Sequence, residues 1–338
     1  MKTVIYGAGS IGCYIGAILY QHQINVCLLG RRRLQDEIES AGGIYLSDYE
    51  GGNDCVKDVP FITTPEVLST ADTILITLKC TAIDSAISEL RQFASPSALI
   101  VCMQNGVGAV ELVQQALPNH KVLTGITPFN VVQSQGARFH RATEGALHLP
   151  IHSSLMPLQQ AWQAYGLGCE LNENLTAIVW GKLLLNLNNA INALSNIPLK
   201  AQLEQRPYRL VLAQCQLELL AYCRDRNIEL AKLTAVSPGM IPRLLKLPDW
   251  LFKLVAQKML AIDPKARSSM WEDVQGGRKT EVEFLNGAVA RLAESQGMQA
   301  PANRAITRLI KEVESGQRQS GINGKDLLKL TRTTMSGE

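Results

Sequence analysis

Three glycines near the start of the chain stand at the spacing of a dinucleotide-binding loop. Gly7, Gly9 and Gly12 follow a short apolar run and precede a helical pattern. In that setting the first glycine permits a tight turn, the second lets the backbone approach a pyrophosphate, and the third lets the helix pack close to the strand. Backbone N–H groups at the helix start, including those of Ser10 and Ile11, would then bind the phosphates. The pattern predicts a site for a dinucleotide cofactor.

The residues after the second predicted strand, 25–29, indicate which dinucleotide is bound. An NAD site carries Asp or Glu there for the ribose 2′-hydroxyl, whereas this chain has Arg31, Arg32 and Arg33 and no carboxylate before Asp36. A guanidinium binds a 2′-phosphate through paired hydrogen bonds, and a carboxylate would repel it. We therefore predict NADP(H) rather than NAD(H), with Arg31 as its ligand. The alternative is that the three arginines form a solvated loop.

Polar residues follow the later predicted strands of the first half. Lys79 comes directly after one buried strand, Asn105 follows another as part of Gln104-Asn105-Gly106, and Thr127 ends the next one. Because ligands of open α/β sheets bind beyond the carboxyl ends of the strands, these side chains are candidates for a site. A solvated strand-end lysine and an Asn-Gly turn dipeptide are the alternative interpretations.

Four polar residues stand out in the second half. Lys182 and Asn186 are four residues apart in an apolar stretch, so a helix would place them on one face. Ser269 and Glu281 lie further along, on either side of two adjacent glycines that interrupt the helical pattern. The alternatives are a lysine whose charged end reaches water, an asparagine at a helix end, and an acidic residue at a helix N-terminus.

The elements that would position these residues differ between the two halves. Strands and helices alternate in the first half, as in a doubly wound parallel sheet of the Rossmann type. Residues 44–62 look irregular, residues 137–143 and 146–151 resemble a hairpin, and residues 169–171 are expected to close the sheet. The predicted strands and helices after the second strand are 72–78, 82–93, 97–103, 109–116, 122–127 and 155–165.

From about residue 175 the chain has the periodicity of helices and no clear strand. Several prolines interrupt the middle of this region, and the tail after Leu330 is polar and expected to be loose. We predict a nucleotide-binding domain over residues 1–172 and an all-helical domain over residues 173–330. The predicted helices are 175–194, 207–226, 240–261, 279–296 and 302–314.

The composition is that of an ordinary globular protein. Of 338 residues, 46% are hydrophobic and 19% are charged, and the formal net charge is +3. So small a net charge gives no reason to expect nucleic acid or a membrane surface as a partner. No run approaches about 18 apolar residues, and the apolar start is interrupted by glycines, so we expect neither a transmembrane helix nor a signal peptide. We expect a cytoplasmic protein.

The cysteines and histidines indicate neither disulfides nor a metal site. The eight cysteines are scattered and none form C-x-x-C, which favours reduced thiols. The five histidines lack the spacing of metal ligands, so we predict no metal site.

Taken in order, these motifs resemble those of the ketopantoate reductase (2-dehydropantoate 2-reductase) family. The resemblance runs from the first strand to about residue 303, and residues 296–303 look like the family's C-terminal pattern. The matching blocks are Gly7-x-Gly-x-x-Gly12, Leu78-Lys79, Asn105-Gly106, Lys182-x-x-x-Asn186, Ser268-Ser-Met and Gly277-Arg-Lys-Thr-Glu281.

The resemblance implies NADPH-dependent reduction of ketopantoate, a 2-oxo acid, to pantoate in pantothenate biosynthesis. It implies that Lys182 is the general acid that protonates the developing alkoxide, and that Glu281 binds the substrate's hydroxyl and fixes the lysine. Asn105 and Asn186 would orient substrate and lysine, and Ser269 would hold the carboxylate.

For the cofactor, the resemblance implies contacts from Arg31 and Lys79, with Asn105 beside them. The chemistry agrees, because hydride addition places negative charge on the carbonyl oxygen, and a positioned ammonium stabilises and then protonates it. A carboxylate partner keeps that ammonium charged and in place. The resemblance also makes a homodimer an expectation.

Two positions depart from the family pattern. An asparagine is often found eight residues after the lysine, where this chain has Ala190, and another can occur three residues before Ser269, where it has Ala266. Asn189 and Asn192 are the candidate substitutes. Fewer amide donors should weaken specificity for ketopantoate.

Three functions therefore stay open. The first is ketopantoate reduction, and the second is NADPH-dependent reduction of another branched 2-oxo acid. The third is a non-catalytic protein that senses NADP, which the fold by itself does not exclude. The joint presence of Lys182 and Glu281 argues against the third, because a sensor needs no proton donor.

Overall fold

A parallel sheet organises the first of two units, Met1–Leu175, and the second unit begins at Thr176. The computed structural model describes residues 1–257 and 263–333. In chain order, the first unit contains β1 (Thr3–Tyr6), α1 (Ser10–Gln21), β2 (Val26–Leu29), α2 (Arg32–Ala41), β3 (Ile44–Asp48), β4 (Asn53–Val56), β5 (Phe61–Ile62), β6 (Thr73–Ile76), α3 (Ile83–Phe93), β7 (Leu99–Cys102), α4 (Ala109–Ala116), β8 (Lys121–Thr124), β9 (Val131–Ser134), β10 (Arg138–Arg141), β11 (Leu147–Pro150), α5 (Met156–Tyr165) and β12 (Cys169–Asn172).

The main sheet has the strand order β5-β2-β1-β6-β7-β8, and all its neighbouring strands are parallel. Counted along the chain, its strands run third, second, first, fourth, fifth and sixth, which is the order of dinucleotide-binding folds. The order reverses between β1 and β6, where Tyr6 lies beside Ile76. The loops that follow these two strands therefore begin side by side, where such sheets bind ligands. The predicted α/β class and doubly wound parallel sheet are confirmed.

The central strands are apolar because both faces of the sheet are covered. Every residue of β1, β2, β6 and β7 is buried, as expected for strands between two helical layers. On one face, α1 packs against α5, and the buried indole of Trp162 donates a hydrogen bond to the carbonyl of Ile15 at 3.0 Å. This packing fixes α1, whose first residue, Ser10, follows Gly9.

The prediction of an irregular segment over residues 44–62 is wrong, because it contains three strands. In β3 the buried Ile44 and Leu46 alternate with less buried neighbours, the pattern of a half-buried strand. In β4 only Val56 is buried, so its polar sequence gave no strand signal. Pairing with β3 makes it a strand, and contact with β2 does the same for the two residues of β5.

The predicted hairpin is also wrong. β10 pairs in parallel with β3 and antiparallel with β9, while β11 pairs in parallel with β12. Residues 169–171 therefore do not close the main sheet, because β12 belongs to a separate two-stranded sheet. Adjacent strands in a sequence look like a hairpin whenever a short turn separates them, and only long-range pairing shows otherwise.

Every element described in the second unit is helical, which confirms the predicted helical region. Short 3-10 turns cover Pro238–Met240 and Val282–Phe284. The helices are α6 (Thr176–Asn186), α7 (Asn188–Ser195), α8 (Leu199–Leu203), α9 (Arg206–Asp225), α10 (Ile241–Leu245), α11 (Asp249–Val255), α12 (Ser269–Gln275), α13 (Asn286–Ser295), α14 (Pro301–Glu314) and α15 (Gly324–Thr333).

Three of the predicted helices are interrupted. The helix predicted over 175–194 is two helices, separated at Leu187, and the one over 279–296 is a 3-10 turn followed by α13. The helix predicted over 240–261 is α10 and α11, and its last residues lie outside the described part of the chain. Pro242 and Pro248 stand at the starts of these two short helices, where proline is tolerated. The tail after Leu330 continues α15 as far as Thr333.

A buried arginine joins α9 to the segment that carries α10 and α11. Arg209 is fully buried and donates hydrogen bonds to the carbonyls of residues 203, 245 and 247. Its Nη1 also lies 2.9 Å from a carboxylate oxygen of Asp249. Burial lowers the pKa of Arg209, and the Asp249 carboxylate opposes that shift. Its full set of acceptors is what a buried guanidinium requires.

Candidate active site

The fold itself requires two of the three glycines of the loop. Gly7 has a φ of +113°, and a Cβ on it would lie 2.5 Å from the backbone nitrogen of Leu78. A Cβ on Gly12 would lie 2.5 Å from the carbonyl oxygen of Gly7 and 2.7 Å from Oγ1 of Thr77. These positions hold the loop against the start of the segment after β6.

Gly9 is different, because neither its backbone nor its packing requires glycine. Its φ of −107° and ψ of −156° are extended values, open to any residue. The nearest atom to an added Cβ would be the carbonyl oxygen of Gly7, at 4.0 Å. Gly9 precedes α1, which has no side-chain cap and no acidic residue in its first turn. The uncovered space at this helix start fits a phosphate-bearing group.

Arg31 is brought next to the glycine loop by the end of β2. The backbone N–H groups of Gly7 and Ala8 both donate to the carbonyl of Leu29, at 3.0 and 2.9 Å. A Cβ on Gly30 would lie 2.7 Å from the Cβ of Ala8. Arg31 follows at once, exposed and extended, immediately before α2.

The three neighbouring arginines are not equivalent. Arg32 pairs with Asp36 at 2.9 Å and Arg33 with Glu37 at 3.5 Å, each one turn along α2. Within the described ranges 1–257 and 263–333, no carboxylate pairs with Arg31. Its guanidinium is therefore the one of the three that is available to an anionic ligand.

Lys79 and Asn105 lie at the same edge of the sheet. Lys79 is exposed after β6, and Asn105 is half-buried after β7. The Cys80 thiol donates to the Asn105 carbonyl at 3.2 Å, so the two loops are tied together. The structure thus brings both predicted residues to the side of the sheet that carries the glycine loop.

Gln104 is a polar residue that sequence reasoning did not single out. Both polar atoms of its side-chain amide are buried, and neither finds a hydrogen-bond partner among the described residues. Buried amides are normally paired, so this one is suited to a ligand that offers both a donor and an acceptor. Its strand-end position before Asn105 was the only signal in the sequence.

Lys182 and Asn186 lie one turn apart on α6, and both are half-buried. The rotation of α6 is fixed beside the lysine. A Cβ on Gly181 would lie 2.7 Å from the carbonyl oxygen of Ala231, and the Ala231 N–H donates to the carbonyl of Ala177 at 2.7 Å. That close backbone contact sets the direction in which Lys182 leaves the helix.

The two adjacent serines have separate roles. Ser268 is buried, caps α12 by accepting from the Trp271 N–H, and donates to the carbonyl of Asn189 at 3.0 Å. Its own N–H donates to Oδ1 of Asn192 at 2.9 Å. Ser269 is exposed and is held in place by these bonds of its neighbour.

The same contacts decide between the two candidate substitutes for the missing asparagine. Asn192 is fully buried, and its Nδ2 donates to the carbonyl of Ile197 and to Oε1 of Gln202. With its oxygen on Ser268 as well, the amide of Asn192 is structural. Asn189 is half-buried and keeps the candidate role, while Ala190 is fully buried.

Glu281 is not at the start of a long helix. It precedes the 3-10 turn Val282–Phe284, which its carboxylate does not cap, and α13 begins only at Asn286. The chain beside it is fixed by Glu314, whose carboxylate accepts from the Thr280 N–H and hydroxyl at 2.8 and 2.6 Å. The geometry gives no support to the interpretation of Glu281 as a helix-capping acid.

The block at residues 296–303 is structural. The buried carboxylate of Glu218, on α9, accepts from the N–H groups of Ala302 and Asn303 and from the Asn303 amide. Burial raises the pKa of the Glu218 carboxyl, although these hydrogen bonds oppose the shift. The contacts fix the start of α14 on α9.

Two further findings concern classes of site. No cluster of three His, Cys, Asp or Glu residues suited to a metal ion occurs in the described part of the chain. Of the helices in residues 1–257 and 263–333, none has the length and apolar character to cross a membrane.

The first unit has a sheet of dinucleotide-binding strand order and an uncapped helix start. The second unit is helical and carries Lys182 and Glu281. This architecture is that of a nicotinamide-dependent oxidoreductase. Residues 3–154 match the family described as ketopantoate reductase PanE/ApbA, and residues 174–314 match the C-terminal part of the same family. The chain belongs to the ketopantoate reductase family, and it is an oxidoreductase.

Relatives cover nearly the whole chain. The 2-dehydropantoate 2-reductase of Halobacterium salinarum is 24% identical over 318 residues, which are 92% of this chain and 98% of that protein. The PanE/ApbA family ketopantoate reductase from Ralstonia eutropha has a TM-score of 0.79 and 25% identity, and covers 94% of this chain and 100% of that one.

Two more distant structures share the fold. D-Mandelate dehydrogenase in a ternary structure with NADH and anilino(oxo)acetate has a TM-score of 0.74 at 17% identity, covering 94% of this chain and 99% of that one. A dimeric ketopantoate reductase from Staphylococcus aureus has a TM-score of 0.71 at 19% identity, covering 94% and 100%.

Proposed function

We propose that the protein reduces 2-dehydropantoate to pantoate with NADPH. The observation that carries the proposal is the set of polar residues that the family-matched second unit retains. Lys182 and Asn186 stand on one face of α6, Ser269 is exposed beside the buried cap of α12, and Glu281 is held without serving as a helix cap.

The first unit would hold the cofactor. The helix start at Gly9 fits the pyrophosphate, and the exposed guanidinium of Arg31 fits a 2′-phosphate. Lys79 and Asn105 would contact the cofactor from the neighbouring loops, and the side-chain amide of Gln104, which has no partner among the described residues, suits a carboxamide. When bound, the nicotinamide supplies the hydride.

Residues of the second unit would stabilise the negative charge formed in the reaction and supply the proton. Reduction places negative charge on the oxygen of the 2-oxo group, which the ammonium of Lys182 stabilises and then protonates. Glu281 binds the substrate's hydroxyl and keeps the lysine charged. Asn186 orients the lysine, Asn105 orients the substrate, and Ser269 binds its carboxylate.

A second candidate is reduction of another branched 2-oxo acid. It is favoured by Ala190 and Ala266, which remove two amides from the family pattern, and by the structural use of Asn192. The test is NADPH oxidation against a panel of 2-oxo acids that includes ketopantoate. Ketopantoate as the best substrate by kcat/KM supports the first proposal, a different acid supports the second, and turnover of none refutes both.

Replacing Arg31 with alanine is expected to weaken the binding of NADPH more than the binding of NADH. The loss should be about 1.5–3 kcal/mol, the scale of a hydrogen bond to a charged group, because only NADPH carries the 2′-phosphate. Titration of both cofactors measures it, with Arg32→Ala as the matched control because Arg32 is already paired with Asp36. Equal affinity of the unmodified protein for both cofactors would refute the NADPH preference.

Gly9→Ala is expected to lower NADPH affinity by about tenfold or more without changing thermal stability. The nearest protein atom to the added methyl would be the carbonyl oxygen of Gly7, at 4.0 Å, so the fold can accept it. The methyl would, however, displace a pyrophosphate from the backbone N–H groups. Affinity and melting temperature are measured on the same preparation.

Gly12→Ala is the contrasting control for that experiment. Its methyl would overlap the carbonyl oxygen of Gly7, so it should destabilise the fold by about 1–3 kcal/mol, the usual scale of overpacking. Normal cofactor affinity in Gly9→Ala would show that the pyrophosphate does not approach this residue.

A further inference from the structure

Glu281 lies in a stretch without regular structure, so contacts with other elements must set its direction. Residues 278–281 belong to neither a helix nor a strand. Arg278 is bonded to the Asp273 carboxylate of α12 at 2.9 Å. Next to Glu281, the N–H and the hydroxyl of Thr280 both donate to one carboxylate oxygen of Glu314, at 2.8 and 2.6 Å. The chain that leads into Glu281 is thus tied to two helices, α12 and α14.

The hydroxyl of Thr280 carries this restraint across Glu281. Thr280 is only 2% exposed. While its Oγ1 donates to Glu314, the same atom accepts from the N–H of Val282 at 3.3 Å. The residues on both sides of Glu281 are therefore bonded through a single hydroxyl. A shift of that hydroxyl would turn the peptide groups on either side of Glu281 and redirect its carboxylate.

The stability of α14 does not account for an acid at position 314. Glu314 is the last residue of that helix, where a negative charge opposes the helix dipole. One of its oxygens accepts from Thr280, and the other lies 3.1 Å from Nζ of Lys311. Burial alone would raise the pKa of the Glu314 carboxyl, but the hydrogen bonds from Thr280 and the Lys311 ammonium outweigh burial and lower that pKa. The carboxylate is therefore held in its charged form as the acceptor for Thr280.

The helix that carries Glu314 is a firm support. Its residues Ile306, Leu309 and Ile310 are fully buried. The start of α14 is fixed on α9, where Glu218 accepts from two backbone N–H groups of α14. A side chain at the end of such a helix can hold a neighbouring segment in one place.

We propose that Glu314 is a positioning residue for the reaction, which holds Glu281 in its working direction through Thr280. Glu314 would act on the chain beside Glu281 and not on the substrate. The inference rests on the proposed function, in which Glu281 binds the substrate's hydroxyl and keeps Lys182 charged. It adds the contact on which the direction of that carboxylate depends.

The test is a double-mutant cycle of Glu314→Ala and Glu281→Gln, measured as kcat/KM for the best 2-oxo acid at saturating NADPH. In the wild-type background, Glu314→Ala should lower kcat/KM by about 3- to 10-fold. In the Glu281→Gln background it should lower kcat/KM by less than about twofold, because the carboxylate that it positions is already gone. A merely structural role would reduce the active fraction by the same factor in both backgrounds.

Glu312→Ala is the matched control for this cycle. Glu312 is on the same helix end, and its carboxylate is paired with Arg318 at 2.6 Å and Arg308 at 3.6 Å. Its removal also costs a paired carboxylate, but these partners lie outside the Thr280 segment. We expect kcat/KM to stay unchanged in both backgrounds.

Variants of Thr280 give a second measurement. Thr280→Val keeps the shape and removes the hydroxyl, so kcat/KM should fall as it does in Glu314→Ala. Thr280→Ser keeps the hydroxyl and should retain kcat/KM, although it loses a buried methyl group. Equal activity of the valine and serine variants would overturn the inference. If Glu314→Ala does not fold, Thr280→Val takes its place in the cycle.

The outcomes separate this inference from the proposed function. An equal loss in both backgrounds overturns the positioning role and leaves the proposed function intact. If Glu281→Gln has wild-type kcat/KM, the role of Glu281 fails, and the inference fails with it, while reduction of a 2-oxo acid stands. If the wild type reduces no 2-oxo acid, the proposed function and the inference are both overturned.

Discussion

Lys182→Ala is expected to lower kcat on the order of 10²-fold or more, the scale of a positioned general acid, with NADPH affinity nearly unchanged. The side chain leaves α6, whereas the glycine loop and Arg31 belong to the other unit. Loss of the ammonium should therefore slow the chemical step and leave the affinity for the cofactor unchanged. Steady-state kinetics with saturating NADPH and a separate cofactor titration measure the two effects.

Two additions sharpen the experiment on the lysine. Lys325→Ala removes an exposed lysine from another helix, α15, and should leave kcat unchanged. A small primary amine added to Lys182→Ala should restore part of the turnover, because it can donate the missing proton. Near-normal kcat in Lys182→Ala would show that another group is the acid.

Glu281→Gln is expected to lower kcat/KM by about 10- to 100-fold with an unchanged melting temperature. A substrate hydroxyl and a lysine would both lose a charged partner, and each such hydrogen bond is worth about 1.5–3 kcal/mol. The substitution keeps the shape of the side chain. A helix-end acid would contribute only about 0.3–1 kcal/mol to stability, and the carboxylate does not cap the turn that follows it.

Glu314→Gln gives the matched contrast for Glu281. Its carboxylate accepts two hydrogen bonds from Thr280 and lies 3.1 Å from the Lys311 ammonium. Removing its charge should lower the melting temperature and reduce activity less than Glu281→Gln does. A lowered melting temperature with preserved activity in Glu281→Gln would make that residue structural and move the substrate site elsewhere.

The sequence predicted the elements whose own residues carry a strong signal. The four-residue apolar strands β1, β2, β6 and β7 are buried on both faces, so their composition alone marks them. The long helix α9 begins within one residue of its predicted start, with Pro207 in its first turn. Such elements can be predicted because an apolar run or a helical period is visible within a short stretch of sequence.

Elements stabilised by distant partners were not predictable in that way. β4 has one buried residue and exists because β3 pairs with it. β11 and β12 are separated by α5, yet they pair in parallel. Spacing in the sequence carries no information about such pairings, because the hydrogen bonds that stabilise them join residues far apart in the chain.

The candidate site divides along the same line. The sequence by itself determined the types and order of residues that can bind a dinucleotide and move a proton, because glycine spacing and helical spacing are local properties. Only the tertiary structure decided which of two similar side chains can bind a ligand. Arg31 can do so because Arg32 is paired with Asp36, and Asn189 is the candidate because the amide of Asn192 is used within the fold. Adjacent residues of one type share a sequence signal, but burial and partners from distant segments decide which of them can meet a ligand.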